Sequence, residues 1–207
     1  MNRIDAKFKE LKAQGKKALI VYITCGYPDI ATTEKLVLEL EKRGVDIIEL
    51  GVPFSDPLAD GPIIQEASSY ALKKKINLKD IFFLVKRLRR KSQIPLCLMG
   101  YYNPIFSFGQ DRFVAEAINA GIDGVIIPDL PPEEDERLVS LAKRSGLKTI
   151  FFLSPTVCLC STMYRIDPQH LCWALENLVE GNVVNQIVVS EEEKKWAKIA
   201  LERMLAL

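Results

Sequence analysis

The sequence predicts an α/β fold on a parallel sheet, and three features of its 207 residues point that way. Short apolar runs alternate with loops rich in Gly, Pro, Asp or Asn and then with helical stretches, the pattern of repeated strand–helix units. The runs are nearly continuous in apolar residues, as strands covered on both faces require. No Gly-rich dinucleotide fingerprint follows the first run, where the chain reads Thr24-Cys25-Gly26-Tyr27-Pro28-Asp29. That favours a barrel over an open doubly wound sheet.

Taken in order, the expected strands are residues 19–24, 46–52, 94–100, 124–128 and 149–153, each an apolar run bounded by turn-forming residues. Between them, 3.6-residue periodicity predicts helices over 31–43, 62–73, 78–90, 110–120 and 132–145. A closed eight-stranded barrel takes about 250 residues. Only about fifty follow the fifth strand here, so three more units cannot fit. The expected fold is therefore an incomplete TIM (β/α)8-type barrel of about five units with an α-rich C-terminal tail. Composition changes at the same place: both Trp residues, the only His and three of the five Cys lie after Thr156. The tail offers a helix over 168–178, a strand-like run over 183–189, and a last helix opened by Ser190 and Glu193 in capping-box spacing.

Charge and cysteine usage narrow the function classes. Twenty-eight Lys+Arg nearly cancel 27 Asp+Glu, so no global field favours nucleic acid or an anionic membrane surface. No apolar run approaches the roughly 18 residues of a membrane helix. The N-terminal MNRIDAKFKELKAQGKK mixes both charges with apolar residues at helical spacing and has no signal-peptide core. Five Cys, an odd number without framework spacing, fit reduced thiols. A cytoplasmic protein is expected.

The chemistry concentrates around the second strand, where Glu49 stands among apolar residues on the same face as Ile47 and Gly51. Inside a barrel such a carboxyl is partly desolvated, which favours its neutral form and suits a general acid/base. A structural ion pair at a strand end is the other reading. The following loop, Pro53 to Gly61, carries Asp56 and Asp60 and lies where barrel enzymes build their sites. Asp60 just before Gly61-Pro62 also reads as a helix N-cap, and spacing alone favours the cap. Glu49, Asp56 and Asp60 lack the His or further acids that would fix a metal, so none is expected.

The run Ile48-Glu49-Leu50-Gly51-Val52-Pro53-Phe54-Ser55-Asp56-Pro57-Leu58-Ala59-Asp60-Gly61-Pro62 resembles the signature of the tryptophan synthase alpha chain family. Thr24-Cys25-Gly26-Tyr27-Pro28, Met99-Gly100-Tyr101-Tyr102-Asn103-Pro104 and Ile127-Pro128-Asp129-Leu130-Pro131 resemble further loops of that family. The resemblance, from about Phe8 to Thr156, implies a (β/α)8 barrel. It implies a lyase of tryptophan biosynthesis that cleaves indole-3-glycerol phosphate to indole and glyceraldehyde 3-phosphate without cofactor or metal. It makes Glu49 the acid/base and sets Asp60 on the indole nitrogen. Tyr22, Ile64 and Tyr102 would line the indole pocket. Pro53, Asp56, Pro57, Asn103, Pro104, Asp129, Pro131 and Pro132 would dock on the beta chain in an alpha2-beta2-type complex.

After Thr156 the resemblance changes. The run Cys160-Ser161-Thr162-Met163-Tyr164-Arg165-Ile166-Asp167-Pro168-Gln169-His170-Leu171 resembles the C-terminal end of quinolinate synthase, a [4Fe–4S] enzyme. Cys160 matches one of its three cluster ligands, and one thiolate cannot hold a cluster. Cys158, Cys160, His170 and Cys172 match no common zinc spacing. Two segments are thus expected, an alpha-type partial barrel over 1–156 and a quinolinate-synthase-like tail over 157–207. The family's phosphate-binding loops would be missing, so impaired turnover is expected. The alternatives are a non-catalytic module docking on the beta chain and a fusion product without function.

Overall fold

The computed structural model describes residues 1–131 and 134–151. Five parallel strands form one sheet in sequence order: β1 (Ile20–Thr24), β2 (Ile47–Gly51), β3 (Leu96–Met99), β4 (Gly124–Ile126) and β5 (Lys148–Ile150). Helix α1 (Arg3–Ala13) precedes the sheet. The crossovers are α2 (Ile30–Lys42), then α3 (Pro62–Lys73) with α4 (Leu78–Leu88), then α5 (Tyr102–Phe108) with α6 (Gln110–Ala120), and α7 (Glu136–Ser145). This is the expected strand–helix alternation, an incomplete α/β barrel. The tail elements expected over 168–178 and 183–189 and from Ser190 lie outside the described residues.

Local chemistry sets the helix starts. Asp29 caps α2 by accepting the Thr32 N–H at 2.7 Å, and Asn77 and Asp80 form a capping box on α4. Helix α7 begins at Glu136 instead of Pro132, because Asp135 caps it by accepting the Leu138 N–H at 2.9 Å. Two helices were not among those expected between strands. Helix α1 belongs to the N-terminal stretch whose helical spacing the sequence already displays. Helix α5 is short and contains Asn103-Pro104, a pair that reads as loop. Pro104 stands in its first turn, where a backbone N–H has no helical partner to lose.

Period two divides the sheet into two faces. Ile48, Leu50, Leu96, Leu98 and Val125 belong to the large core shared with the helices, with Val37, Ile81, Val85, Phe113 and Leu138. At roughly 1.5–3 kcal/mol for each fully buried large side chain, this layer supplies most of the driving force. Helix α4 presents Leu78, Ile81, Phe82, Val85 and Leu88 to it at helical spacing. The opposite, inner face holds Ile47, Cys97 and Ile126, packed with Ile4 of α1. Gly124 makes room for that helix, since a Cβ there would stand 3.0 Å from Ile4 Cδ1 and 3.1 Å from Cys97 Sγ.

Helix α1 is held at the N-terminal end of the strands by polar contacts. Asn2 Nδ2 donates to the carbonyls of Asp123 at 2.8 Å and Gly146 at 3.1 Å. Lys148 of β5 pairs with Asp5 at 2.8 Å. The centre of this end is Asp123, 2% exposed. Its carboxylate accepts from Arg3 at 3.0 Å, from Arg89 at 2.8 Å and from the Leu96 N–H at 2.9 Å. Burial lowers the Arg89 pKa to about 10, with Asp123 opposing the shift, so the guanidinium stays charged at neutral pH. The basic run around it is also engaged: Lys86 with Glu116, and Arg87 and Lys91 with Glu34.

We predict that Asp123→Ala, which strands two guanidinium groups, lowers stability by about 3–5 kcal/mol in urea denaturation. Glu39→Ala, which breaks exposed pairs with Lys42 and Arg43, changes it by less than about 1 kcal/mol.

Candidate active site

Glu49 sits on the inner face of β2, in register with Tyr22 of β1 on one side and Cys97 of β3 on the other. It is half-buried. Among the described residues no Lys or Arg pairs with it, so the strand-end ion pair does not form there. Burial raises its carboxyl above the usual carboxylate range, which makes the protonated form available as an acid. The Cys97 thiol beside it is pushed up strongly by burial and by the neighbouring carboxylates, and Cys25 is pushed up to about 12 by burial. Both remain protonated and unreactive.

A glycine shapes the space above Glu49. At Gly51, two residues further along the same face, an added Cβ would stand 2.1 Å from the Tyr22 hydroxyl. The phenol therefore lies over β2 because Gly51 has no side chain. Thr24 Oγ1 donates to the Tyr22 hydroxyl at 3.5 Å. Burial raises that phenol to about 12, against the Thr24 bond that lowers it and with Asp60 adding to the rise.

Asp60 closes the β2–α3 connection. The expected N-cap role is not what the structure holds: Gly61 is the cap residue, no side chain caps α3, and Pro62 opens the helix. Pro62 has no N–H to offer, and the Asp60 carboxyl interacts instead with the Tyr101 hydroxyl. Burial raises the Asp60 carboxyl and the Tyr101 bond lowers it. Tyr101 also accepts the Ala59 N–H at 2.9 Å, and its ring packs on Phe54 with centroids 5.3 Å apart.

The structure thus brings together Glu49, Tyr22 and Asp60, and adds Tyr101, which sequence reasoning missed. The signal was the Tyr101-Tyr102 pair, whose phase the sequence leaves undecided. Tyr102, expected at the pocket, begins α5. Its hydroxyl donates to Asp135 at 2.6 Å and accepts from Gln110 Nε2 at 2.6 Å. Entry into the helix turns its side chain toward the starts of α6 and α7. Ile64 lies half-buried in the first turn of α3. The docking candidates leave the C-terminal ends of β2, β3 and β4. Asp56, Asn103 and Asp129 are exposed, Pro57, Pro104 and Pro131 half-buried, and Pro53 buried. Pro132, Cys158, Cys160, His170 and Cys172 lie outside the described residues. Among the described residues no group of three metal-ligating side chains is clustered, and no helix is long and apolar enough to cross a membrane.

A family model described as tryptophan synthase alpha chain matches residues 8–166. The chain belongs to the tryptophan synthase alpha chain family. It is 57% identical over 156 residues to the alpha chain of Geotalea uraniireducens (strain Rf4), covering 75% of this chain and 58% of that one. It is 50% identical over 155 residues to that of Clostridium acetobutylicum, with 75% and 59% covered. The chain thus spans about three fifths of the length of these curated relatives. Tryptophan synthase subunit alpha from Legionella pneumophila superposes with a TM-score of 0.73 at 45% identity, covering 75% of this chain and 60% of that one. The tryptophan synthase complex from Pyrococcus furiosus gives 0.66 at 38%, with 77% and 62% covered. A second family model, described as quinolinate synthetase A protein, matches residues 134–206.

Two outcomes follow for the alpha-chain-type site. Gly51→Ala drives a methyl into Tyr22 and costs about 1–3 kcal/mol in thermal or urea unfolding, and adding Tyr22→Leu recovers part of that loss. The raised Glu49 pKa means that the folded state holds this proton more tightly than the unfolded chain. Wild-type stability therefore falls as pH rises from the ordinary carboxylate range through the raised value. Glu49→Gln is predicted to be more stable than wild type at neutral pH, with the gap closing below that range, as read from denaturation midpoints across pH.

Proposed function

We propose that this chain carries the carboxylate pair of a tryptophan synthase alpha-type lyase, cleaving indole-3-glycerol phosphate to indole and glyceraldehyde 3-phosphate. The observation that carries the reading is that neither carboxyl is used structurally: Glu49 has no cation partner among the described residues, and Asp60 does not cap α3. Glu49 protonates the indole ring carbon that bears the glycerol phosphate chain. The positive charge that develops on the ring nitrogen is held by the Asp60 carboxylate. The Glu49 carboxylate then takes the proton of the adjacent glycerol hydroxyl as the carbon–carbon bond breaks. The bonding electrons return to the ring, the hydroxyl carbon becomes the aldehyde, and Glu49 regains its proton. The step needs neither metal nor cofactor. Tyr22, with Ile64 as a further candidate, bounds the indole site, and Tyr102, expected there by resemblance, is turned instead toward Asp135 and Gln110.

The exposed Asp56, Asn103 and Asp129, with Pro57, Pro104 and Pro131 beside them, support a docking surface for the tryptophan synthase beta chain. A solved relative from Pyrococcus furiosus is described as an a2b2 complex. Pro53 and Pro132 complete the docking set by resemblance. The quinolinate-synthetase match over 134–206 supports a chain of two parts, an alpha-type partial barrel over 1–156 and a quinolinate-synthase-like tail over 157–207, at work in the cytoplasm. The quinolinate-synthetase match covers most of the part after Thr156, where the family's phosphate-binding loops are expected, which supports a weakened anchor for the glycerol phosphate end and slow turnover. The exposed docking loops also favour a second reading, a non-catalytic module that binds the beta chain.

The test is indole release from indole-3-glycerol phosphate by the purified full chain, alone and with a beta chain. Glu49→Gln is expected to lower the rate by about 10²-fold or more, and Asp60→Asn by about 10²–10³-fold. Absence of indole from the wild type in the presence of the beta chain would overturn the lyase reading, and co-elution of the two chains would then leave the docking module.

A further inference from the structure

The loop that delivers Asp60 has little of its own to hold it. Ser55, Asp56, Leu58 and Ala59 are exposed, Leu58 by 87%. The bond between Ser55 and Asp56 is internal to the loop. Among the described residues, two side-chain hydrogen bonds join residues 53–60 to other elements: Gln65 Nε2 of α3 donates to the Asp60 carbonyl at 2.8 Å, and the Ala59 N–H donates to the Tyr101 hydroxyl at 2.9 Å, the one bond that leads to the β3 side. The ring of the same tyrosine packs on Phe54, near the start of the loop, with centroids 5.3 Å apart and planes inclined by 31°. Tyr101 is only 4% exposed. It stands two residues past the end of β3, and β3 lies beside β2, the strand that bears Glu49. One buried phenol therefore grips both ends of an exposed loop and refers them to the neighbouring strand.

We propose that Tyr101 is a positioning residue, a tether that fixes Asp60 against Glu49 by holding the β2–α3 loop to the end of β3. This rests on the reading of Asp60 as the group that meets the indole nitrogen. The hydroxyl is suited to both tasks, since it accepts from Ala59 with a lone pair while its own proton is available to the Asp60 carboxyl. Burial and the nearby Asp60 charge keep the phenol protonated. Without the hydroxyl the loop gains freedom at its Asp60 end, and a displacement of about 1 Å between reacting groups lowers a rate by as much as 10²-fold.

The experiment compares wild type, Tyr101→Phe and Tyr102→Phe in the full chain by amide hydrogen exchange. Tyr101→Phe keeps the ring on Phe54 and removes only the hydroxyl. The Ala59 amide is expected to exchange roughly two- to tenfold faster, the loss of one hydrogen bond, while the amides of Ile48 and Leu50 in β2 are unchanged. Tyr102→Phe leaves Ala59 at the wild-type rate, because its hydroxyl serves Asp135 and Gln110. The second readout is an NMR titration of the Asp60 carboxyl, which faces Tyr101 and Tyr22. Its midpoint moves upward in Tyr101→Phe, a change that simple loosening of the fold would not single out. An unchanged Ala59 rate overturns the tether, as does faster exchange spread through β2 and β3. Indole release separates the two claims: a wild type that makes no indole but shows the predicted exchange and titration keeps the tether and removes the lyase reading.

Discussion

Asp123 is a carboxylate taken out of water at the start of β4, and its satisfaction holds the N-terminal end of the sheet in register. The same residue meets α1 through Arg3 and Asn2, α4 through Arg89, and the start of β3 through the Leu96 N–H, while its carbonyl accepts the Lys148 N–H at 3.0 Å. Arg89 extends the set to the carbonyls of Gly121 at 2.8 Å and Ile94 at 2.6 Å. A buried charge persists only when geometry and hydrogen bonds offset its desolvation. Every element that supplies a partner is therefore constrained at once. This gives the barrel wall one rigid end.

The opposite end is built differently. There the strands run out into loops, and among the described residues Glu49 and Asp60 have no cation partner. Asp123 and Glu49 are both acids on or beside strands of the same sheet, yet one has two guanidinium partners and the other has none among the described residues. The first stabilises the fold. The second is held in a costly environment that tunes its proton affinity, a trade that stable scaffolds make at functional sites. Gly51 takes part in it, since its missing side chain lets a phenol lie where a core residue would otherwise pack.

The parallel architecture was legible because β-branched and aliphatic runs recur at the spacing of strand–helix units, and all five strands stand where those runs are. Helix bounds were legible where a cap announces them, as at Asn77, and less so where proline and asparagine imitate a loop, as in α5. Glu49 could be singled out as a lone charge in an apolar strand. Asp60 could be singled out as well, but the local Asp-Gly-Pro grammar argued for capping, and only the neighbouring strand's Tyr101 shows where the carboxyl turns. Tyr101 and Tyr102 are chemically alike in sequence, and one residue separates a buried phenol that accepts the Ala59 N–H from a half-buried one bonded to Asp135 and Gln110. Asp123 gave no signal at all, because its partners lie 34 and 120 residues away.

Sequence by itself determined the alternation of elements, the two faces of each strand and the family, because these follow from local periodicity and from runs of adjacent residues. Tertiary structure alone decided the roles of the acids. A carboxyl's proton affinity depends on burial and on charges brought from other elements, and those distances are set by the register of strands and not by the order of residues.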